Sequence, residues 1–338
     1  MQVEKNNKME EIKIIQIGLG EIGKRIVKYV FEREGLKIVS AVDPAHEKCG
    51  KSLKELCGVN SDIKVLNEIE EAIEKTNPDV AVLTTSSYIE KIMPQIEKIA
   101  VYGIDIVSTC EELVFPWKTN PQLAKRIDEI AKRNNITIIS TGVNPGFLMD
   151  SLPLFLTSIC QKIKFIKISR IQDASKRRVA FQQKIGAGLT VDEFERKKKE
   201  GNFGHVGLIE SIYMIAEKIG WNLEKTEEII EPVIAEKEIK SGNLKIKKRM
   251  VSGLKQIGKG YLNGREIITL IFKASIGENE PEDKIEIKGE PDIIIKIPEG
   301  VNGDIATCAI VVNVIKSIKN FPPGLKSMID ISLISYKL

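Results

Sequence analysis

Apolar and polar positions along the first 150 residues predict strands and helices that alternate. Short apolar runs such as IKIIQIGLG, from Ile12, and PDVAVLTTSS, from Pro78, are typical of buried strands. Segments such as EIGKRIVKYVFE, from Glu21, and YIEKIMPQIEKIAVYG, from Tyr88, place apolar residues at helical spacing. Nearly continuous apolar strands between amphipathic helices are typical of a parallel sheet covered on both faces. The pattern therefore predicts an α/β fold that begins with a doubly wound Rossmann domain over residues 1–150.

The pattern changes after about residue 150. KIKFIKISRIQ, from Lys162, alternates with period two, a helical stretch follows around 191–219, and strand-like runs occupy residues 227–297. This predicts an α+β second domain over residues 151–302, with a mostly antiparallel sheet covered by helices on one face. NGDIATCAIVVNVIKSIKN, from Asn302, predicts a long amphipathic helix in the region 303–338 that packs back on the first domain, and the PPG sequence from Pro322 is expected to end it.

Composition argues against several classes of protein. The chain is 42% hydrophobic and 29% charged with a net charge of +4, and its lysines and glutamates are intermixed, which does not favour nucleic-acid binding. No apolar run approaches the roughly 20 residues of a membrane span, and the charged start MQVEKNNKMEE does not resemble a signal peptide. Five scattered cysteines and two histidines predict neither a disulfide framework nor a metal site. We therefore expect a cytoplasmic protein without metal.

A glycine-rich sequence follows the first predicted strand and opens the first predicted helix. It reads Gly18, Leu19, Gly20, Glu21, Ile22, Gly23, which is a GxGxxG motif in the context that binds a dinucleotide pyrophosphate. Asp43 ends the second strand about 20 residues farther along, where a carboxylate accepts a hydrogen bond from a ribose 2′-hydroxyl. NAD is therefore favoured, although the nearby Lys48 and Lys51 leave NADP open. A tight turn without a cofactor is the alternative.

Small polar side chains follow other strands of the same domain. Ligands of doubly wound sheets bind beyond the carboxyl ends of the strands, so these residues are predicted to contact the cofactor. The alternative is that they start helices or turns, as Asn-Pro-Gly does well. The predicted cofactor contacts are Thr84, Thr85, Ser86, Thr109, Cys110 and Asn144.

Two adjacent acids, Glu111 and Glu112, follow the predicted strand IDIVSTC. One of them, beside a nicotinamide, could bind a cationic amine or act as a general base, whereas both could instead start the next helix.

Homoserine dehydrogenases end this strand in V-T-A-N-K, and here Glu112 takes the place of the catalytic lysine. The paired histidines of dihydrodipicolinate reductases are missing. An anionic pocket suits a protonated amine and predicts oxidoreduction at a C–N bond.

Five motifs together carry a resemblance over nearly the whole chain: GLGEIG, STCEEL, TGVNPGFLMD, GHVGLIES and NGDIATCAIVVN. They resemble the 2,4-diaminopentanoate dehydrogenases and the related native amine dehydrogenases. The resemblance implies NAD(P)-dependent oxidative deamination, with 2,4-diaminopentanoate as the expected substrate, and reductive amination of ketones or aldehydes with ammonia in reverse. It also implies that Glu111 or Glu112 is the acid/base residue, and the lysine alignment favours Glu112. Another dehydrogenase or an imine reductase on the same scaffold is the alternative.

Residues of the later motifs are predicted to contact the substrate. An arginine at a strand end could bind a substrate carboxylate bidentately, although ordinary surface exposure is an equal alternative. His205 and Thr307 lie in two of the resembling motifs, where a structural histidine or a helix start is the alternative. The predicted substrate residues are Pro145, Phe147, Arg170, Gln172, His205 and Thr307. We also expect a homodimer, because large sheet domains on this scaffold often pair.

Overall fold

The computed structural model describes residues 11–175, 177–201, 203–242 and 244–336, so the charged segment 1–10 and residues 337–338 of the predicted domains lie outside it. The strands are β1 (Ile12–Ile17), β2 (Leu36–Val42), β3 (Val65–Leu66), β4 (Val80–Leu83), β5 (Asp105–Ser108), β6 (Thr137–Ser140), β7 (Lys162–Asp173), β8 (Lys225–Ile234), β9 (Ile239–Ser241), β10 (Leu244–Ile246), β11 (Val251–Leu262), β12 (Arg265–Ser275), β13 (Glu282–Glu290), β14 (Ile293–Pro298) and β15 (Gly324–Lys326). The helices are α1 (Glu21–Phe31), α2 (Leu53–Cys57), α3 (Ile69–Thr76), α4 (Ile89–Ala100), α5 (Pro121–Arg133), α6 (Ser151–Leu156), α7 (Val179–Lys184), α8 (Val191–Lys199), α9 (Leu208–Ile219) and α10 (Gly303–Ile315). Short 3-10 helices span Glu111–Val114, Thr157–Ile159 and Ile318–Asn320.

Contacts divide the chain into two compact units. The first contains the residues up to Val143 and those from Gly303 onward, and the second contains Asn144–Asn302. The loop that follows β6, from Asn144, thus groups with the second unit, whereas the sequence pattern placed the division at residue 150.

The first unit is built on a parallel sheet with the strand order β15-β6-β5-β4-β1-β2-β3. Alternate strand residues enter two separate cores. Ile15 and Leu83 pack with residues of α3, α4 and α5 on one face, while Ile14 and Val82 pack with residues of α1 and α10 on the other. The predicted doubly wound architecture is confirmed, and its parallel strands bring the loops after β1, β4, β5 and β6 to one edge.

The C-terminal region differs from the predicted single long helix. Helix α10 ends at Ile315, a 3-10 turn follows, and β15 then pairs in parallel with β6. The helix stops before Pro322 and Pro323, which were expected to end it because prolines favour extended backbone and lack the N–H groups that a helix requires. The sheet of the first unit gains its edge strand as a result.

The second unit contains a six-stranded sheet with the order β14-β13-β7-β12-β11-β8. Its neighbouring strands are antiparallel except for β7 and β12, which run parallel, so the sheet is mixed but mostly antiparallel, as expected. Helix α9 covers one face: a Cβ on Gly258 or Gly260 would contact its Ile212 within about 3 Å. The predicted helical stretch 191–219 is two helices, α8 and α9. Within the described residues, no helix has the length and apolar character to cross a bilayer.

Candidate active site

The turn from β1 to α1 has the geometry of a phosphate-binding loop. Gly18 has a φ of +89°, in the left-handed region that favours glycine. A Cβ on Gly23 would lie 2.0 Å from the Gly18 carbonyl oxygen, whereas a Cβ on Gly20 would meet no atom within 4 Å. The loop therefore packs tightly on its inner side and is open beside Gly20. The N-terminus of α1 faces this open side with unpaired N–H groups, so the loop fits a pyrophosphate.

Leu19, Glu21 and Ile22 are the other residues of this loop. The Leu19 side chain is buried, that of Ile22 is partly buried, and the exposed Glu21 lies 3.4 Å from Lys24. Their side chains consequently form the base and rim of the loop.

Asp43 is tied to the same loop. Its Oδ2 accepts hydrogen bonds from the Leu19 N–H at 2.7 Å and from Lys48 Nζ at 2.8 Å, and its Oδ1 accepts one from the Ala45 N–H at 3.0 Å. Burial alone would raise the pKa of Asp43, but the hydrogen bonds from Lys48, Leu19 and Ala45 outweigh it and hold the pKa below its ordinary value. The carboxylate is thus ionised, and an ammonium group lies where a ribose was expected.

The hydroxyl groups after β4 have partners within the first unit. Thr84 Oγ1 donates to the Gly18 carbonyl at 2.8 Å, and Thr85 Oγ1 donates to Gln95 Oε1 at 2.6 Å. Ser86 Oγ accepts the Tyr88 N–H at 3.1 Å, just before α4. Thr84 therefore supports the glycine loop, Ser86 holds the residue before α4, and Thr85 bonds to the middle of that helix.

The loop after β5 places Thr109 and Cys110 beside the acid pair. The Thr109 N–H donates to the Leu83 carbonyl at 3.1 Å, which continues the parallel pairing, and the Thr109 side chain is partly exposed. Cys110 is fully buried, and this burial raises the pKa of its thiol far above the ordinary value. Cys110 therefore packs as a small apolar residue and is not activated as a nucleophile.

The two glutamates of the 3-10 turn have different environments. Glu112 Oε2 accepts the N–H of Ile89, the first residue of α4, at 2.7 Å. Burial raises the pKa of Glu112 against this hydrogen bond, and the charges of Glu90 and Glu111 add to the rise. Glu111 is partly exposed and has no hydrogen-bonding partner in the described part of the chain. One carboxylate is thus fixed in orientation with a perturbed pKa, and the other is free.

Tyr88 adds a phenol to this group. Burial and the charges of Glu112 and Glu111 raise its pKa, and Lys91 Nζ lies 5.0 Å from the centre of its ring. The sequence pattern placed Tyr88 only at a helix start, so its proximity to the acid pair was not predicted. The available signal in the sequence was a tyrosine near the end of a strand, between a hydroxyl-rich loop and a helix.

Thr307, on the first turns of α10, lies at the end of β6. Its Oγ1 accepts the Val143 N–H at 3.1 Å, so it anchors the chain at the point where the first unit ends.

Asn144 and His205 are brought together within the second unit. His205 Nε2 lies 3.0 Å from Asn144 Nδ2 and 3.1 Å from the Asn144 carbonyl oxygen, and its ring stacks on Phe272. Burial, with the nearby cations Lys184 and Arg170, lowers the pKa of His205 to about 3. The imidazole is therefore neutral. The buried Oδ1 of Asn144 has no hydrogen-bonding partner among the described residues.

The neighbouring glycine packs on the predicted turn. A Cβ on Gly207 would lie 2.4 Å from Cγ of the buried Pro145, and Gly207 has a φ of +106°. Phe147 is partly exposed in the same turn. Asn144 and Pro145 thus pack with His205 and Gly207 of the GHVG motif in one cluster of the second unit.

Arg170 and Gln172, on β7, share an acceptor. Arg170 Nη2 and Gln172 Nε2 donate to the Val301 carbonyl at 2.7 and 3.1 Å, and Arg170 Nη1 lies 3.3 Å from Asp283 Oδ2. Arg170 is 2% exposed, and burial lowers its pKa to about 10, which still leaves it charged. Its guanidinium has internal partners, an environment that favours a structural role over the predicted binding of a substrate carboxylate.

A polar crevice of about 290 Å³ opens beside Gln172. Arg177 lines it, donates to Gln172 Oε1 at 2.9 Å and stacks on Phe181 at 4.1 Å. The side chains of Asp173 and Glu278 also line it, so the crevice carries both signs of charge. No cluster of metal-ligating residues occurs in the described ranges.

Family models match both parts of the chain. Residues 147–336 match the 2,4-diaminopentanoate dehydrogenase C-terminal domain, and residues 12–110 match the N-terminus of dihydrodipicolinate reductase. The resemblance carried by the sequence motifs is thereby confirmed.

Individual relatives agree with the family models. A 2,4-diaminopentanoate dehydrogenase of Acetoanaerobium sticklandii is 34% identical over 337 residues, which cover 96% of this chain and 94% of that protein. A 4-hydroxy-tetrahydrodipicolinate reductase of Methanocaldococcus jannaschii is 27% identical over 146 residues, 40% of this chain and 50% of that protein. An amine dehydrogenase structure from Mycobacterium smegmatis shares the fold, with a TM-score of 0.87, 20% identity and 98% coverage of both chains. The protein belongs to the 2,4-diaminopentanoate dehydrogenase family.

Proposed function

We propose that this protein is an NAD(P)-dependent amine dehydrogenase that converts 2,4-diaminopentanoate, water and the oxidised cofactor into 2-amino-4-oxopentanoate, ammonia, the reduced cofactor and a proton. In reverse it catalyses reductive amination. One observation carries the proposal: the glycine loop and a half-buried, oriented carboxylate, Glu112, lie at the same edge of one parallel sheet. The relative at 34% identity is named for this activity.

The cofactor, when bound, supplies the acceptor for the hydride that leaves the amine-bearing carbon. The open side of the glycine loop at Gly20 and the N-terminus of α1 fit its pyrophosphate. We assign the adenosine ribose to Asp43. Since Lys48 Nζ lies 2.8 Å from that carboxylate, we propose that the loop accepts both cofactors, with Lys48 turning to a 2′-phosphate in NADP.

Glu112 is proposed as the general acid/base. Its Oε2 is held by the Ile89 N–H, so Oε1 is available to the substrate. A raised pKa brings the carboxylate closer to the working pH, which improves proton transfer. In the oxidative direction it takes a proton from the substrate ammonium and releases it to solvent. It then takes a proton from the water that adds to the iminium carbon and passes it to the nitrogen that leaves as ammonia. Glu111 adds negative charge that favours a cationic amine.

In the second unit we propose Asn144 as a ligand for a donor group. Its buried Oδ1 has no partner within the described ranges, and such an acceptor is costly unless a bound group satisfies it. The neutral His205 beside it would hold the amide in place. Gln172 and the partly exposed Arg177, at the polar crevice, suit the substrate carboxylate better than the buried Arg170 does.

We propose a homodimer in the cytoplasm. The face of the second sheet opposite α9 carries the partly exposed apolar residues Phe165, Ile257 and Ile271 at its centre. Charged residues of both signs surround this apolar centre, and Lys284 and Lys296 toward the β14 edge pair with Glu286 and Glu282. A second copy related by a two-fold axis would cover the apolar centre of this face. None of the five cysteines, all within the described ranges, forms a disulfide, in agreement with a reducing compartment.

The activity is tested by incubating the purified protein with 2,4-diaminopentanoate and NAD or NADP and following the absorbance of the reduced cofactor. Simple aliphatic amines serve as comparison substrates, and Glu112→Gln serves as the inactive control. Reduction of the cofactor with the diamino acid and not with simple amines supports the proposal. Equal or greater rates with simple amines would exclude 2,4-diaminopentanoate as the preferred substrate. No turnover with any amine would contradict the function.

A further inference from the structure

Gln16 is a polar residue in the middle of an apolar strand. Its neighbours Ile14, Ile15 and Ile17 are all buried, and Gln16 itself has 0% exposure. A buried amide destabilises a core unless it is hydrogen-bonded, and an apolar residue would fill the same space at lower cost. A glutamine at this position is therefore expected to have a specific role.

The amide nitrogen of Gln16 donates hydrogen bonds on the inner side of the glycine loop. Nε2 donates to the Gly18 carbonyl at 2.9 Å and to Thr84 Oγ1 at 2.9 Å, and the Thr84 hydroxyl donates to the same Gly18 carbonyl at 2.8 Å. The Gly18 carbonyl oxygen thus receives two hydrogen bonds on the inner side of the loop. A Cβ on Gly23 would fall 2.0 Å from this oxygen, so the carbonyl points back at α1.

The opposite end of the same peptide group is also fixed. The Leu19 N–H donates to Asp43 Oδ2 at 2.7 Å. The peptide that joins Gly18 to Leu19 consequently has one orientation. If it rotated, its carbonyl dipole would turn toward the open side of the loop, where it would repel a phosphate instead of leaving the N–H groups of α1 to bind it.

The arrangement is not optimised for stability alone. Gln16 Oε1 is buried and has no hydrogen-bonding partner in the part of the chain that the structure describes. An unsatisfied buried acceptor costs free energy, and such departures from core-packing rules are expected where a residue serves a site.

We propose that Gln16 is a positioning residue for the pyrophosphate of the dinucleotide, which it assists by holding the Gly18 carbonyl away from the phosphates. This role rests on the proposed function, because it requires a dinucleotide in the glycine loop. Gln16 touches neither the reacting atoms nor the cofactor itself.

The test is Gln16→Met, which removes both donors and keeps an unbranched side chain of similar length. Thr84→Val removes the second donor to Gly18. Thr137→Val is the matched control, since Thr137 is a buried polar residue at the opposite end of the strands, where its hydroxyl donates to the Phe321 carbonyl at 3.2 Å. NADH affinity is measured by fluorescence and thermal stability by calorimetry, alongside steady-state kinetics.

Gln16→Met is expected to raise the dissociation constant of NADH and the KM of NAD about tenfold. The kcat at saturating cofactor, the KM of the amine and the melting temperature should remain as in the wild type, and Thr137→Val should bind NADH normally. NADH binding by Gln16→Met at wild-type affinity would overturn the proposal, as would an equal rise in the KM of the amine. If Gln16→Met is unstable, the same measurements on Thr84→Val decide. A wild-type protein that binds no dinucleotide would overturn the proposed function itself.

Discussion

Glu112 at the end of the fifth strand and Ile89 at the start of helix α4 are joined by a 2.7 Å hydrogen bond from the Ile89 N–H to the carboxylate. The bond links two successive strand-end loops of the parallel sheet. It also differentiates two acids that are adjacent in sequence, because Glu111 has no such partner among the described residues. A carboxylate that is held at one oxygen presents its other oxygen in a defined direction, which is what proton transfer requires.

Glu112→Gln should therefore lower kcat of deamination by about 100-fold to 10,000-fold, because the amide keeps the shape of the side chain but cannot take a proton. Glu111→Gln is the matched control and should keep most of kcat, with a raised KM for the cationic amine. NADH affinity should be unchanged in both variants. Initial-rate kinetics at saturating cofactor measure these effects. A larger loss of kcat in Glu111→Gln than in Glu112→Gln would transfer the acid/base role to Glu111.

The glycines of the loop should respond differently to the same substitution. Gly23→Ala puts a Cβ 2.0 Å from the Gly18 carbonyl and should lower both the melting temperature and NADH affinity. Gly20→Ala meets no protein atom within 4 Å and should keep the melting temperature while it weakens NADH binding. Calorimetry and fluorescence titration measure the two quantities. If Gly20→Ala binds NADH normally, the pyrophosphate does not pass on the open side of the loop.

Hydrophobic patterning was sufficient to predict the architecture. The buried parallel strand β4 is a continuous apolar run, since both faces of the sheet are covered, and the mixed second sheet keeps a period of two along β7. Strand β15 was not predicted, because a three-residue edge strand after a proline pair has no periodicity of its own.

The candidate site was predictable to the level of loops but not of partners. The spacing of GxGxxG and Asp43 reflects a local backbone requirement that sequence expresses directly. Whether Arg170 meets a substrate or Asp283 depends on strand pairing between positions that are 113 residues apart. The bond between Thr84 and Gly18 likewise joins the loops that follow two different strands, β4 and β1. Such contacts arise from the tertiary fold, so local patterns cannot specify them.

Arg170 and Asp283 form a buried ion pair, and a double-mutant cycle should measure the free energy of their interaction. Arg170→Met leaves the Asp283 carboxylate buried without its cation and should cost about 3–5 kcal/mol of unfolding free energy. Arg170→Met combined with Asp283→Asn removes both charges and should recover much of that loss. Chemical denaturation measures all four proteins. Additive losses in the double variant would mean that the two side chains do not interact energetically.

His205 should make stability depend on pH in the acidic range. Its folded-state pKa of about 3 lies below the ordinary value of 6.5, so the unfolded chain binds a proton that the folded protein excludes between these values. The contribution is fully present above about pH 6.5 and is lost as the pH falls toward 3, by at most about 1.4 kcal/mol per pH unit. His205→Gln keeps a polar side chain beside Asn144 but does not titrate, so the slope of its unfolding free energy against pH should be smaller over this window. Denaturation curves at several pH values measure both slopes. Parallel slopes for the two proteins would contradict a buried, neutral His205.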